Sequence, residues 1–309
     1  MIEVYKYGGN LLKDKNNRKK IYEFIKKKNN EGIKIVMVVS AFGRENDSFS
    51  TDNLGKNLEL LDKKEKDEII TFGEIYSSFF IKNELLNEGV KVNNVCYDKI
   101  GIECDDNYGD GNIINVNMSH IKDLLTYYDV VIVPGFIGVS NEGKIISLGR
   151  NTSDLTGVVI CDYFKLDKVN IIKEVDGVYS KDPKKGEGKL ISNLSYDEML
   201  LIVKAGSSMF SKKTLEYAKD KGIVIEVKGL DKEKGSSISE VKSNEKILFV
   251  NEEEECIKVV FKDNEIFNEL FTNLVSERIK LEELIVVNNI VYLSGDNEGI
   301  MRVIKKELL

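Results

Sequence analysis

Two rhythms of apolar residues run through the chain. Short β-branched runs alternate with longer stretches whose apolar positions recur every three or four residues. Ile2 to Lys6 is a β-prone run, Gly8-Gly9-Asn10 a turn, and Asp14 to Asn29 carries Ile21, Phe24 and Ile25 at helical spacing. Ile33 to Ala41 has the continuous apolar character of a strand buried on both faces of a parallel sheet. A polar loop, Phe42 to Asn53, follows, and helical patterns then cover about 54–65 and 67–88, the second holding Phe72-Gly73-Glu74. Val90 to Asp98 reads as a strand, 99–117 as loop, and a helix near 118–127 leads into the strand Val130 to Pro134. Gly149 to Lys165 begins as a loop and becomes a helix that Ser153 or Asp154 caps. Val169 to Val175 is the next strand, and 176–189 a loop. Ser195 to Ala205 and Lys212 to Lys221 are helices, and Ile223 to Gly229 is a closing strand.

Strands and helices alternating at these lengths predict an α/β fold, a three-layer αβα arrangement around a mostly parallel sheet. From about Leu230 to Lys246 the chain turns charged and rich in Ser and Gly. Beyond it the order becomes strand, helix, strand, strand, helix, which is a small α+β unit. The expected division is residues 1–230, a linker over 231–245, and residues 246–309.

Composition narrows the classes. The 309 residues are 42% hydrophobic, enough for a substantial core, and carry a net charge of -7. A general nucleic-acid binder needs a basic face, so that class is set aside. Four cysteines without CxxC spacing and a single histidine, His120, give no metal-ligand pattern. The expectation is reduced thiols in a cytoplasmic protein with no metal site of its own. The N-terminus lacks the layout of a signal peptide, and the longest apolar stretch, Val130 to Val139, is short for a membrane span.

Open parallel sheets bind ligands in the loops after their strands. Lys6 ends the first strand ahead of Gly8-Gly9, which lets backbone approach a phosphate beside a compact positive charge. The same residues also read as a tight turn with a solvated lysine. Ser40 follows the second strand, and Pro134 to Gly138 follow the strand at 130–134. Arg150 to Asp154 offers an arginine able to grip a carboxylate, with hydroxyls at a helix start, or simply an N-cap beside a surface arginine. Asp176, Tyr179, Asp182 and Lys184 follow the strand at 169–175, as a nucleotide-binding loop or as a turn with solvated charges. Gly138 to Lys144 has a GxxxxGK frame, but Ile145 follows it and no helix does, so it reads as a hairpin turn.

The order of these segments is more specific than any one of them. KYGG, VVSAFGR, FGE, VPGFIG, SLGRxxSD, VDGVYSKDP and LSYDEM, in that sequence over residues 2–229, resemble the motif set of aspartokinases within the amino-acid kinase family. The tail resembles a single regulatory ACT unit. The resemblance implies transfer of the γ-phosphoryl of ATP, with Mg2+, to the β-carboxylate of L-aspartate, as a first step towards aspartate-derived amino acids such as lysine. It implies that Lys6, Gly8 and Gly9 contact the ATP phosphates and that Ser40 and Thr51 lie near aspartate and phosphates. Glu74 would face the substrate amino group. Arg150 would bind a substrate carboxylate beside Ser153 and Asp154, and Asp176, Tyr179, Asp182 and Lys184 would surround the nucleotide. Lys6, Arg150 and Asp154 form the expected catalytic set. A carboxylate acceptor is already a nucleophile, so no histidine base is needed. A homodimer through the tail is expected, with no nucleic-acid or membrane partner.

The chain departs from the family at several points. Asn10 and Leu11 follow Gly8-Gly9, and Asn151-Thr152 replace two glycines. Lys173-Glu174 replace a Thr or Ser and an Asp, and Lys184 replaces an arginine. A family lysine that meets ATP phosphate falls at Ser208, with Lys212 and Lys213 as the nearest candidates to take its place. Lys280 stands where an effector-binding Asn is usual. A kinase of another acidic substrate, or a non-catalytic ligand-binding member, stays open on these grounds.

Overall fold

The computed structural model describes residues 1–43 and 47–308. Arg44 of the VVSAFGR segment and Leu309 lie outside the described residues. Eight strands form the main sheet, in the order Asn193–Ser195, Ser236–Ser239, Val224–Gly229, Lys168–Lys173, Ile2–Tyr7, Lys34–Val39, Val130–Pro134 and Val92–Asn94. Ile2–Tyr7 lies near the centre, in parallel register with Lys34–Val39 and with Lys168–Lys173. One junction, Val224–Gly229 against Ser236–Ser239, is antiparallel.

Strand alternation sorts the apolar residues into two layers. Val4, Val36, Val38, Val131 and Val133 enter one core cluster, and Tyr5, Tyr7, Ile35, Met37, Val39 and Ile132 the other. Lys15–Asn30 and Phe72–Asn87 cover the second face, through Ile21, Ile25, Ile81 and Leu85. Ser119–Tyr127, Ser153–Phe164, Tyr196–Lys204 and Lys212–Lys221 cover the first. Each fully buried Val, Ile or Leu contributes about 1.5–3 kcal/mol, and both faces of the central strands are covered. The expected αβα layering is what forms.

Several local expectations are overturned. The helix at 54–65 does not form. Thr51–Leu54 is a single turn, Asn57 has φ +57°, and Leu60 is fully exposed. A capping box between Asp62 and Glu65 starts the helix Lys63–Ile70 instead. The expected helix at 67–88 breaks at Thr71, whose hydroxyl donates to the Asp67 carbonyl at 2.7 Å. The strand expected over Val90 to Asp98 is reduced to Val92–Asn94. The loop-rich 99–117 contributes Ile102–Cys104 and Ile113–Val116 to a small sheet with Ile137–Val139 and Ile145–Ser147. The last two strands pair antiparallel around residues 140–144, so the GxxxxGK frame is a hairpin turn. Ser236–Ser239, inside the expected linker, is a strand of the main sheet with Ser236 and Ile238 buried.

The C-terminal unit holds one strand more than its sequence pattern suggests. Ile247–Glu252 adds a strand to Ile257–Phe261, Ile290–Gly295 and Leu281–Val287. Asn264–Ser276 and Asn297–Leu308 cover one face of this sheet with Leu270, Leu274, Ile300, Val303 and Ile304. Leu248, Phe249, Val260 and Ile290 instead join the larger core. The Asn251 amide donates to the Ala205 carbonyl at 3.0 Å, and the Val250 N–H to the Ser180 carbonyl at 2.7 Å.

Candidate active site

Parallel register brings the carboxyl ends of Ile2–Tyr7, Lys34–Val39 and Lys168–Lys173 to one edge of the sheet. Lys6 lies on the central strand, with its side chain 8% exposed. Its ammonium sits 2.8 Å from Asp154 Oδ1, and the Lys173 ammonium sits 2.9 Å from Asp154 Oδ2. The Asp154 side chain is 3% exposed. Burial alone would raise the Asp154 carboxyl, but Lys173 and Lys6 outweigh it and hold it below the ordinary range. Lys173 also donates to the Met209 carbonyl and stands 4.3 Å from the centre of the Phe210 ring.

Neither Ser153 nor Asp154 caps the helix Ser153–Phe164. Thr152 is the N-cap residue, without a side-chain cap bond, and its hydroxyl donates to the Gly149 carbonyl. The helix starts one residue earlier than a Ser153 cap places it and two earlier than an Asp154 cap, and the Asp154 carboxylate is committed to two lysines. Ser153 is 9% exposed and packs against Gly135, where a Cβ would lie 2.7 Å from the Ser153 Cβ.

Gly8 precedes the short helix Gly9–Lys13, and its N–H donates to the Ile172 carbonyl at 3.1 Å. A Cβ on Gly9 would meet the Ala41 carbonyl oxygen at 2.0 Å, so glycine is what lets the first two βα loops touch. Ser40 is half-buried at the start of the second loop. Asn10, one of the departures from the family pattern, donates to Glu174, another, at 3.0 Å.

Glu74 lies in the first turn of the helix Phe72–Asn87 and is 3% exposed. Burial pushes its carboxyl up to about 8. The Ala41 N–H, its own N–H, the nearby Lys6 and the Thr51 hydroxyl all pull the other way. Its Oε2 has no hydrogen-bond partner. A buried carboxyl with an unused oxygen suits a cationic ligand group.

Arg150 is not inside this pocket. Its side chain is 75% exposed and paired with Asp52, next to Thr51. It stands at the rim, followed by Asn151 at φ +59° where the family pattern has glycine. Asp176 lies 3.5 Å from Lys232, while Tyr179 sits in a two-stranded ribbon, Val178–Tyr179 against Leu190–Ile191. Asp182 accepts the Lys184 N–H at 2.9 Å, and the Lys184 ammonium lies 3.9 Å from Glu174. These four residues therefore share one hairpin loop after the strand Lys168–Lys173.

Ser208 is exposed and supplies no positive charge. Lys213 is held by Asp110 at 2.6 Å and by the carbonyls of Asp110 and Gly111. Lys212 pairs with Glu216 at 3.2 Å. Neither takes the place of the missing lysine. Lys173 was visible in the sequence only as an irregularity before the Asp-Gly-Val-Tyr segment. Its contact with Asp154 spans 19 residues and two elements, and no spacing rule exposes it.

An open, mostly parallel sheet with one buried and one partly buried lysine at its carboxyl edge places this protein among the α/β folds that bind ligands at that edge. The sequence profile of the amino acid kinase family matches residues 1–229, and the chain belongs to that family. It is 30% identical to an aspartokinase of Geobacillus stearothermophilus over 252 residues, covering 81% of this chain and 61% of the relative. An aspartokinase of Bacillus sp. strain MGA3 is 30% identical over 293 residues, covering 91% of this chain and 71% of the relative. With 57% coverage of Bacillus subtilis aspartokinase 1 as well, the chain spans about three fifths to seven tenths of these curated relatives. In fold it resembles E. coli aspartokinase III in complex with aspartate and ADP, with a TM-score of 0.70 at 17% identity. That match covers 100% of this chain and 84% of the other. Clostridium acetobutylicum aspartate kinase superposes with a TM-score of 0.65 at 20% identity, over 99% of this chain and 82% of the other.

Proposed function

We propose that this protein is an aspartate kinase, moving the γ-phosphoryl group of ATP to the β-carboxylate of L-aspartate to give 4-phospho-L-aspartate and ADP. One observation carries the reading. A buried and a partly buried ammonium share a single buried carboxylate at the carboxyl edge of the sheet, leaving net positive charge where a phosphate can reach it. Relatives at 30% identity are aspartokinases, and a neighbour in fold holds aspartate and ADP.

In this reading Lys6 neutralises the transferred group, and Gly8 and Gly9 present backbone to the phosphates. Asp154 holds the lysines in place. Glu74 gives up its proton to receive the substrate ammonium through Oε2, with Thr51 and Ser40 beside it. Arg150 swings from Asp52 to the substrate carboxylate, next to Ser153. Asp176, Tyr179, Asp182 and Lys184 surround the nucleotide. Among the described residues, no group of three or more His, Cys, Asp and Glu is placed to hold a metal ion. Mg2+ would be carried on the nucleotide phosphates, as this ion usually is.

Residues 246–309 form a single ACT-like unit in this reading. Leu281–Val287 is an edge strand with Ile285, Val286 and Val287 each 44–51% exposed, which suits pairing with a second copy. Among the described residues, no helix is long and apolar enough to cross a membrane.

The test is ADP release from Mg-ATP with and without L-aspartate, with the acyl phosphate trapped by hydroxylamine. Aspartate-dependent ADP matched by hydroxamate is expected. ADP release that ignores aspartate sinks the proposal.

A further inference from the structure

We infer that Lys173 binds the nucleotide phosphates of this chain, replacing from a different strand the lysine that the loop at Gly206–Ser208 lacks. The inference rests on the reading of this edge as a nucleotide site, but not on the identity of the acceptor.

Two departures from the family pattern, a lysine gained at 173 and a lysine lost at 208, lie far apart in sequence. In space they meet. The Lys173 ammonium reaches across to the loop that contains Ser208, donating to the Met209 carbonyl and facing the Phe210 ring at 4.3 Å. It is also 2.9 Å from Asp154, whose other oxygen holds Lys6. The two lysines therefore flank one carboxylate from neighbouring parallel strands, with Lys6 aligned to Ile171, two residues before Lys173.

Charge decides what such a cluster is for. Had Lys173 served only to neutralise Asp154, Lys6 would be redundant, since one ammonium suffices. With both present the centre carries about one excess positive charge, and Glu74, raised to about 8, is mostly uncharged near neutrality and does not cancel it. A partly desolvated excess cation is costly unless an anion joins it. The Lys173 side chain is 17% exposed against 8% for Lys6, so it is the more open of the two. A triphosphate supplies the missing negative charge, and its strongest gain comes where the transferred group is flanked by both lysines. Of the other cations on this side, Lys184 is exposed and stands outside the buried centre, 3.9 Å from Glu174, and three more are held by neighbours. Lys213 is tied to Asp110, Lys212 to Glu216, and Lys185 to Asn251 at 3.1 Å.

The experiment measures Mg-ATP and adenosine binding by calorimetry, and turnover, for the native chain, Lys173→Met, Lys173→Arg and Lys173→Met/Ser208→Lys. Lys173→Met is expected to weaken Mg-ATP at least tenfold, leave adenosine within about twofold, and lower turnover on the order of 100-fold. Lys173→Arg is expected to retain most of the Mg-ATP affinity. Ser208→Lys is expected to restore much of the affinity lost in Lys173→Met, because position 208 adjoins Met209, whose carbonyl Lys173 reaches. Mg-ATP affinity unchanged in Lys173→Met overturns the inference. So does an equal loss for Mg-ATP and adenosine, which marks a structural role. A native chain that binds Mg-ATP through Lys173 but ignores aspartate overturns the aspartate kinase reading alone. A native chain that does not bind Mg-ATP overturns both.

Discussion

Replacing Glu74 with glutamine changes one proton and almost no volume, and the structure gives the size of the effect. The carboxyl is buried at the start of the helix Phe72–Asn87, with its pKa pushed up to about 8 from an ordinary 4.5. The sign follows from which state holds the proton. Above about pH 4.5 the unfolded chain releases it, while the folded chain keeps it to about pH 8, so ionisation favours unfolding across that window. Stability contributed by the protonated group is full below the lower value and declines as pH rises towards the upper one. Between about pH 5 and pH 8 this linkage costs about 3–4 kcal/mol at 1.36 kcal/mol per pKa unit. Glu74→Gln removes the linkage and leaves every other titration in place. Urea unfolding of both proteins, at several pH values across this window, isolates the term as the difference between two slopes. The variant should become more stable relative to the native chain as pH rises. Parallel pH profiles, separated by less than about 1 kcal/mol throughout, refute the reasoning. They would mean that the Ala41 N–H, Thr51 and Lys6 keep Glu74 ionised despite its burial.

Three other outcomes test separate parts of the structure. Arg18, 7% exposed, binds Glu84 at 2.6 Å and the carbonyls of Leu12 and Lys13, so Arg18→Met should cost about 1–3 kcal/mol in urea unfolding by leaving those carbonyls without a donor. The exposed pair Lys26–Glu88 is its control, and Lys26→Ala should change stability by less than about 0.5 kcal/mol. Gly9→Ala places a Cβ 2.0 Å from the Ala41 carbonyl, and should cost about 1–3 kcal/mol and weaken Mg-ATP binding by parting the two loops. Arg150→Ala, 75% exposed, should leave the melting temperature nearly unchanged while raising KM for aspartate about tenfold with kcat retained.

The sequence by itself determined the layers. Runs such as Ile33 to Ala41 are apolar on both faces, and a chain can bury such a run only between helices on a parallel sheet. Once strands are parallel, their carboxyl ends share an edge, so Lys6 and Ser40 were legible as neighbours, whereas Asp154 was placed in the pocket only by the family resemblance. Lys6–Asp154 forms at 2.8 Å. Local polar chemistry was harder to read. The leucines after Leu54 mimic a helix, and the capping box at Asp62 that displaces it was hidden inside the same charged run. Ser236–Ser239 lacks an apolar stripe and became a strand only because two neighbours supplied hydrogen bonds.

Tertiary structure alone decided how charge is distributed at the edge. Pattern and spacing report which face a residue occupies, not which distant side chain meets it. Whether a carboxyl ionises depends on the total field and on lost water, and both are summed over elements far apart in sequence. Glu74 and Asp154 are each almost fully buried, yet one is pushed up and the other held down, because two ammoniums touch only Asp154. For the same reason Lys173 appeared in the sequence as a defect in a motif, and in the fold as the second cation beside Asp154.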